Sequence, residues 1–329
     1  MKLDGRSIAS AGDERPMVAA AIWHRTGQWF AAMLTSLYLV AGAAISRTDA
    51  VAWLAGRLNR RMRFIRSVFF CCAFDEAAIR SYGPAARVRM IKWTPVPIGV
   101  LRQGRYRGLV LAAPVSEADL ARPENAKDFA GLIGRLRKIA RLLDVDLVNL
   151  AGTLPGILSR GGERFFADPR PATVSVILRA LDRLSDRYGI PSLPPIILLG
   201  GAGFIGEALG RRLNERGQRC VVIDPKTGGG VIPPDLRGQP ALLADLSPRG
   251  TISGYLDQLW PGLIVLKETF PPPTVEIRAA LAAKSIDVFH LSGVEGRIFP
   301  ALPAPYDIAV PCCAVHDMEG SLEPRLVKL

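Results

Sequence analysis

Histidine is scarce in this 329-residue chain: only His24, His290 and His316 are present. That excludes a histidine-rich metal site, and no cysteine or histidine spacing of the zinc type occurs, so no metal is expected. The five cysteines, Cys71, Cys72, Cys220, Cys312 and Cys313, are odd in number and include two adjacent pairs. Sequence neighbours rarely bond to each other, so a disulfide framework is not expected and reduced thiols of a cytosolic compartment are. Acidic residues are the minority charge: 30 against 42 Lys and Arg, a net charge of +12. Such an excess attracts phosphate polymers and anionic lipid surfaces alike. The chain lacks a helix-turn-helix pattern and an RNA-binding sheet signature, so no specific nucleic-acid partner is expected. It shows no internal repeat, and nothing in it sets an oligomeric state.

Apolar residues, by contrast, are plentiful, at 49% of the chain. Residues 26–46 contain no charge, and Trp29 stands near one end of the stretch. The length suits a helix that spans a bilayer or rests on one. Arg47, Arg57, Arg60, Arg61, Arg63 and Arg66 follow closely. The positive-inside rule then places everything beyond on the cytoplasmic side, anchored at the cytoplasmic face of an inner membrane. Residues 52–66 read as a basic amphipathic helix, so membrane contact is expected through 26–66.

Beyond the arginines the pattern is α/β. SVFFCCAF has strand length and reads as core. Two apolar runs flank Gly104 and predict a hairpin or neighbouring strands. Phe129, Leu132, Ile133, Leu136, Ile139 and Leu143 recur at helical spacing, VDLVNLAG reads as a buried strand, and residues 172–188 form a second amphipathic helix before a PSLPP linker. Three parts result: a segment 1–48 holding the apolar helix, an α/β substrate domain 49–190, and a nucleotide-binding domain 191–329.

Residues 195–224 read PIILLGGAGFIGEALGRRLNERGQRCVVID. IILL predicts a strand, Gly201-x-Gly203-x-x-Gly206 follows with Gly200 before it, a helix comes next, and CVVID closes on an acid about 20 residues on. Gly201 permits the tight turn, Gly203 lets the backbone approach a pyrophosphate, and Gly206 lets helix and strand pack closely. Phe204 and Ile205 open the helix, whose free N–H groups face the phosphates. Asp224 is placed to accept the adenosine ribose hydroxyls and to repel an added phosphate. NAD(H) is therefore favoured over NADP(H), although Arg219 and Lys226 stand nearby. PALLADL predicts a third strand with Asp245 near its end, at an adenine contact. A helix over 251–260, a strand GLIVLKET, a helix over 274–284 and a strand IDVFHLSG complete a doubly wound parallel Rossmann sheet.

The string GGAGFIG is similar to that of extended short-chain dehydrogenases, but their downstream Tyr-x-x-x-Lys is missing. Only Tyr255 and Tyr306 follow the glycines, with Leu259 and Val310 four residues on. A nucleotide domain placed second resembles the order of shikimate dehydrogenases and of long-chain acyl-(acyl-carrier-protein) reductases. The latter resemblance runs from about Arg102 to Ala314. It rests on RLRKIARLLDVDLVNLAGTLPGIL, on the helix leading to the glycines, and on a late cysteine. It implies a lipophilic acyl thioester or aldehyde as substrate, with Cys312 or Cys313 as nucleophile, His316 or His290 assisting it and Lys267 polarising the carbonyl. The substrate cleft would lie between the domains, with loop 152–162 facing the glycines. Two other readings stand beside this one: a soluble shikimate-type hydroxy-acid or amino-acid dehydrogenase, for which no Lys/Asp pair is legible, and a non-catalytic NAD(H)-binding sensor.

Overall fold

The computed structural model describes residues 38–73, 76–80, 84–190, 193–227, 230–302, 306–315 and 322–329. Residues 26–37 of the apolar stretch, and His24 and His316, lie outside the described residues. Residues 38–47 are helical. Their Leu39 and Ala43 pack on Ile91 and Val96, so this end of the stretch spends its apolar face on the protein. Among the described residues no helix is long and apolar enough to cross a membrane.

Two parallel-rich sheets organise the rest. The first holds β1 (Ser67–Cys72), β2 (Val96–Gln103), β3 (Tyr106–Ala113) and β4 (Leu147–Leu150). The expected hairpin about Gly104 is β2–β3, paired antiparallel, while β1 runs parallel to both β3 and β4. Helices α1 (Asp49–Met62), α2 (Glu76–Arg80), α3 (Ala85–Ile91), α4 (Glu117–Ala121), α5 (Ala126–Leu143), α6 (Leu154–Arg160) and α7 (Arg170–Arg187) complete this half. Ser116 caps α4 through a reciprocal capping box with Asp119. The predicted helical stripe of α5 is buried against β1, β3 and β4 through Leu132, Ile133, Leu136, Ile139 and Leu143.

The second sheet holds β5 (Ile196–Leu199), β6 (Cys220–Ile223), β7 (Leu242–Asp245), β8 (Ile264–Lys267), β9 (Asp287–Val294) and β11 (Pro324–Lys328), in the order β11-β9-β8-β7-β5-β6. All neighbours are parallel except β11, which pairs antiparallel with β9. Alternation assigns the two faces. Ile196 and Leu198 share a core with α7 and with α8 (Phe204–Glu215). Ile197 and Leu199 share one with the segment Thr251–Gln258 and with Leu281 of α9 (Val275–Ala283). The doubly wound arrangement follows.

Two details differ from the sequence expectation. Segment 251–258 winds as a 3₁₀ helix, since its Gly250–Ser253–Gly254 surroundings carry little helix propensity. The short strand β10 (Arg297–Phe299), which follows β9, leaves the second sheet and pairs with β2 of the first. The long helix α7 lies in a core with residues of both sheets, from Phe69, Leu101 and Val110 on one side to Leu266, Phe289 and Leu291 on the other. The two halves therefore share one hydrophobic interior, and neither strand β10 nor helix α7 respects a simple sequential cut.

Candidate dinucleotide and catalytic site

Strand order reverses at β5: the chain passes from β5 to β6 on one side and then to β7 on the other. A crevice opens at such a switch point, outside the carboxyl ends of the strands. The glycine turn stands there. Gly200, at φ +83°, donates its N–H to the Ile223 carbonyl at 2.8 Å, and Gly203 donates to the Gly200 carbonyl at 3.1 Å. Helix α8 starts at Phe204 with no side chain capping it, so its first N–H groups stay available to a ligand. A Cβ on Gly206 would lie 2.5 Å from the Gly200 carbonyl oxygen and 2.6 Å from the Gly201 Cα. Only glycine lets the helix approach its own strand turn this closely, which is the fit a pyrophosphate cradle requires.

Asp224 ends this βαβ unit, 5% exposed. Its carboxylate accepts the Ala202 N–H at 3.1 Å, so the acid is drawn over the glycine turn. Across the turn, a Cβ on Gly156 of α6 would lie 3.4 Å from the Phe204 Cβ, and the Arg170 guanidinium lies 4.6 Å from the centre of the Phe204 ring. Most of the stretch 152–162, expected as a loop, is helix α6 with Pro155 in its first turn, and it lies beside Phe204 at the start of α8. Ile205 packs on the shared core.

The second feature is a polar row across three neighbouring strands, at the ends of β7 and β8 and inside β9. Register places Asp245 beside Lys267 and Lys267 beside His290. Asp245 and Lys267 are each 1% exposed, and their charged groups are 3.1 Å apart. Ser247 completes the pair: its N–H and hydroxyl donate to Asp245 at 2.9 and 2.5 Å, and its carbonyl accepts from the Lys267 ammonium at 2.5 Å and from the Thr269 hydroxyl at 2.6 Å. A Lys/Asp pair therefore exists, contrary to the sequence reading, because two strands bring together residues 22 positions apart. Asp245, the residue expected at an adenine contact, is held by Lys267 and Ser247.

His290 is fully buried, and neither ring nitrogen finds a hydrogen-bond partner among the described residues. Its ring meets Tyr306 edge to face at 5.6 Å. Burial, reinforced by the Lys267 charge, pushes its pKa down to about 4. The sign of the consequence is definite. Between the ordinary histidine value and about 4, the unfolded chain takes up a proton that the folded chain refuses, so stability falls as pH falls through this window. The expected loss is up to about 3 kcal/mol. Denaturant unfolding at neutral pH and near pH 4.5 measures it, and His290→Phe should flatten the dependence; an unchanged slope in that variant would assign it to other groups.

Cys312 lies 3.6 Å from the Glu268 carboxylate. Burial, with Glu268 adding to it, pushes the Cys313 thiol up to about 12 and Cys312 well above its usual value; burial also raises Glu268. Both thiols are held protonated. The structure thus brings Lys267 beside His290 and Cys312 beside Glu268, leaves Cys71 and Cys72 half-buried on β1, and adds Ser247, Glu268, Thr269 and Tyr306. Of these, Ser247, Glu268 and Thr269 had one sequence signal: each stands within two residues of a charged strand end.

No family model matches the chain, and no curated protein does. Among solved structures it is similar to glutamate dehydrogenase from Peptoniphilus asaccharolyticus, at 14% identity over 68% of this chain, with a TM-score of 0.35. It is also similar to L-tryptophan dehydrogenase from Nostoc punctiforme, at 15% identity over 68% of this chain and 69% of that one, TM-score 0.37. A third is quinate dehydrogenase from Corynebacterium glutamicum in complex with NAD, at 11% identity over 68% of this chain and 87% of that one, TM-score 0.33. The chain spans 64% of the length of the glutamate dehydrogenase, just under two thirds.

Proposed function

We propose that the protein is an NAD(P)-dependent oxidoreductase that prefers NAD(H) and acts on a small molecule with a hydroxyl or carbonyl group. The observation that carries this reading is the glycine turn at the switch point, with Gly206 too close to Gly200 for any side chain and Asp224 folded over Ala202. Gly200, Gly201, Gly203 and the start of α8 would hold the pyrophosphate, and Asp224 the ribose hydroxyls. The nicotinamide supplies or accepts the hydride. The polar row serves the substrate oxygen: Lys267, steadied by Asp245 and Ser247, donates a hydrogen bond to it, and neutral His290 accepts the hydroxyl proton as the nicotinamide takes the hydride. An acyl-enzyme route needs a thiolate, and burial keeps Cys312 and Cys313 protonated, so that route gains no support. The burial of the row favours a second reading, dinucleotide binding without turnover.

Calorimetric titration with NADH and NADPH tests the first reading. NADH is expected to bind more tightly, Gly203→Asp to abolish binding, and Asp224→Ser to weaken NADH by at least about tenfold, the worth of charge-assisted hydrogen bonds. Failure of both nucleotides to bind overturns it. Binding with no nicotinamide absorbance change across a panel of alcohols, hydroxy acids and aldehydes selects the sensor.

A further inference from the structure

We infer that α1 docks on an anionic lipid surface through the face it turns away from the protein. An amphipathic helix ordinarily buries its large apolar side chains; α1 does the reverse. Its buried residues are Gly56 and Asn59. A Cβ on Gly56 would overlap the Leu142 carbonyl, so the helix backbone lies directly on the end of α5. Asn59, fully buried, donates to the Ile65 and Leu143 carbonyls at 2.8 and 2.9 Å and accepts the Ile65 N–H at 2.8 Å. Asp49, the only acid of the helix, is turned toward α5, bonded to Arg135 and Lys138 at 2.5 Å each. Small and polar groups thus make the intramolecular contact.

The opposite face carries Val51, Leu54, Leu58 and Met62 at spacings of three, four and four, between 44% and 64% exposed. That spacing draws one continuous apolar stripe along the helix. Arg57 and Arg61 flank it, both exposed, and Arg60 lies further round. Trp53, 47% exposed, lies under the Arg57 guanidinium at 5.6 Å. With Asp49 engaged on the far side, the stripe sits in a field of one sign. Apolar residues edged by arginine match the acyl boundary and the charged headgroups of an anionic leaflet. A nucleic acid would satisfy the arginines and leave Leu54, Leu58 and Met62 in water.

Sedimentation of the full chain with vesicles tests this. Binding is expected to vesicles of phosphatidylcholine mixed with phosphatidylserine and to be much weaker with phosphatidylcholine alone. Leu54→Asp/Leu58→Asp should abolish it, and Arg57→Glu/Arg61→Glu should weaken it by about tenfold or more. These positions are exposed, so unchanged circular dichroism and melting should accompany both variants. Three results overturn the proposal: no association with the anionic vesicles, association that the Leu54/Leu58 variant keeps in full, or a concentration-dependent dimer lost in that variant without any vesicle binding.

Discussion

Asp245→Ala is expected to cost about 3–5 kcal/mol of folding stability, measured as a shifted midpoint in denaturant unfolding. The argument is electrostatic. Asp245 and Lys267 are each 1% exposed and 3.1 Å apart. Removing the carboxylate leaves an ammonium at the middle of a sheet whose one remaining named acceptor is the Ser247 carbonyl, and a buried charge without its counter-charge is among the costliest single defects. It also releases the Ser247 N–H and hydroxyl, both bonded to Asp245. Lys267→Met should cost less than Asp245→Ala, because the stranded carboxylate keeps those two bonds. The double variant Asp245→Leu/Lys267→Met should recover much of the loss, since replacing both partners with apolar groups removes the desolvation cost together with the attraction. A single-variant loss below about 1 kcal/mol would mean that water reaches the pair, in the manner of an exposed ion pair.

Gly206→Val is the second large effect. The added Cβ meets the Gly200 carbonyl oxygen and Gly201 Cα at 2.5 and 2.6 Å. Both are backbone atoms of a turn that is itself hydrogen-bonded to Ile223, so neither swings aside as a side chain would. Helix α8 must retreat from the turn, disturbing Ala208, Leu209 and Leu213 in the shared core. The expected stability loss is about 1–3 kcal/mol, the usual cost of overpacking, and NADH binding should fall below detection because the phosphate cradle no longer closes. Gly203→Ala is the control: its Cβ would meet only the Gly200 carbonyl, at 3.2 Å, and it should fold with near-normal stability. A Gly206→Val protein that binds NADH normally would remove the glycine turn from the cofactor site.

Much of the second half was legible before any coordinates. IILL, the glycines and CVVID announce strand, turn, helix and strand because each signal is local: apolar run, conformational freedom, helical spacing. The α5 stripe was legible for the same reason. The 3₁₀ winding of 251–258 was not, since apolar spacing over eight residues suits either kind of helix and the low helix propensity around Gly250 and Gly254 weakens the α-helix without naming its replacement. The path of β10 was also hidden, because three residues carry no pattern that chooses one sheet over another.

The same division runs through the site. The sequence by itself determined the glycine turn, the acid that closes it and the alternation that buries each strand, because those depend on bonds and spacings within some 30 residues. The resemblance to acyl reductases also singled out Lys267, to polarise a carbonyl, and His290, beside His316, to assist a cysteine. Only the tertiary structure decided that Asp245, Lys267 and His290 form one row, that Glu268 stands beside Cys312, and that α1 shows its apolar side outward. The reason is common to all three: each depends on which strands and helices lie side by side and in what register. Hydrogen bonding between distant segments sets that register, and a one-residue slip would turn every one of those strand side chains to the other face.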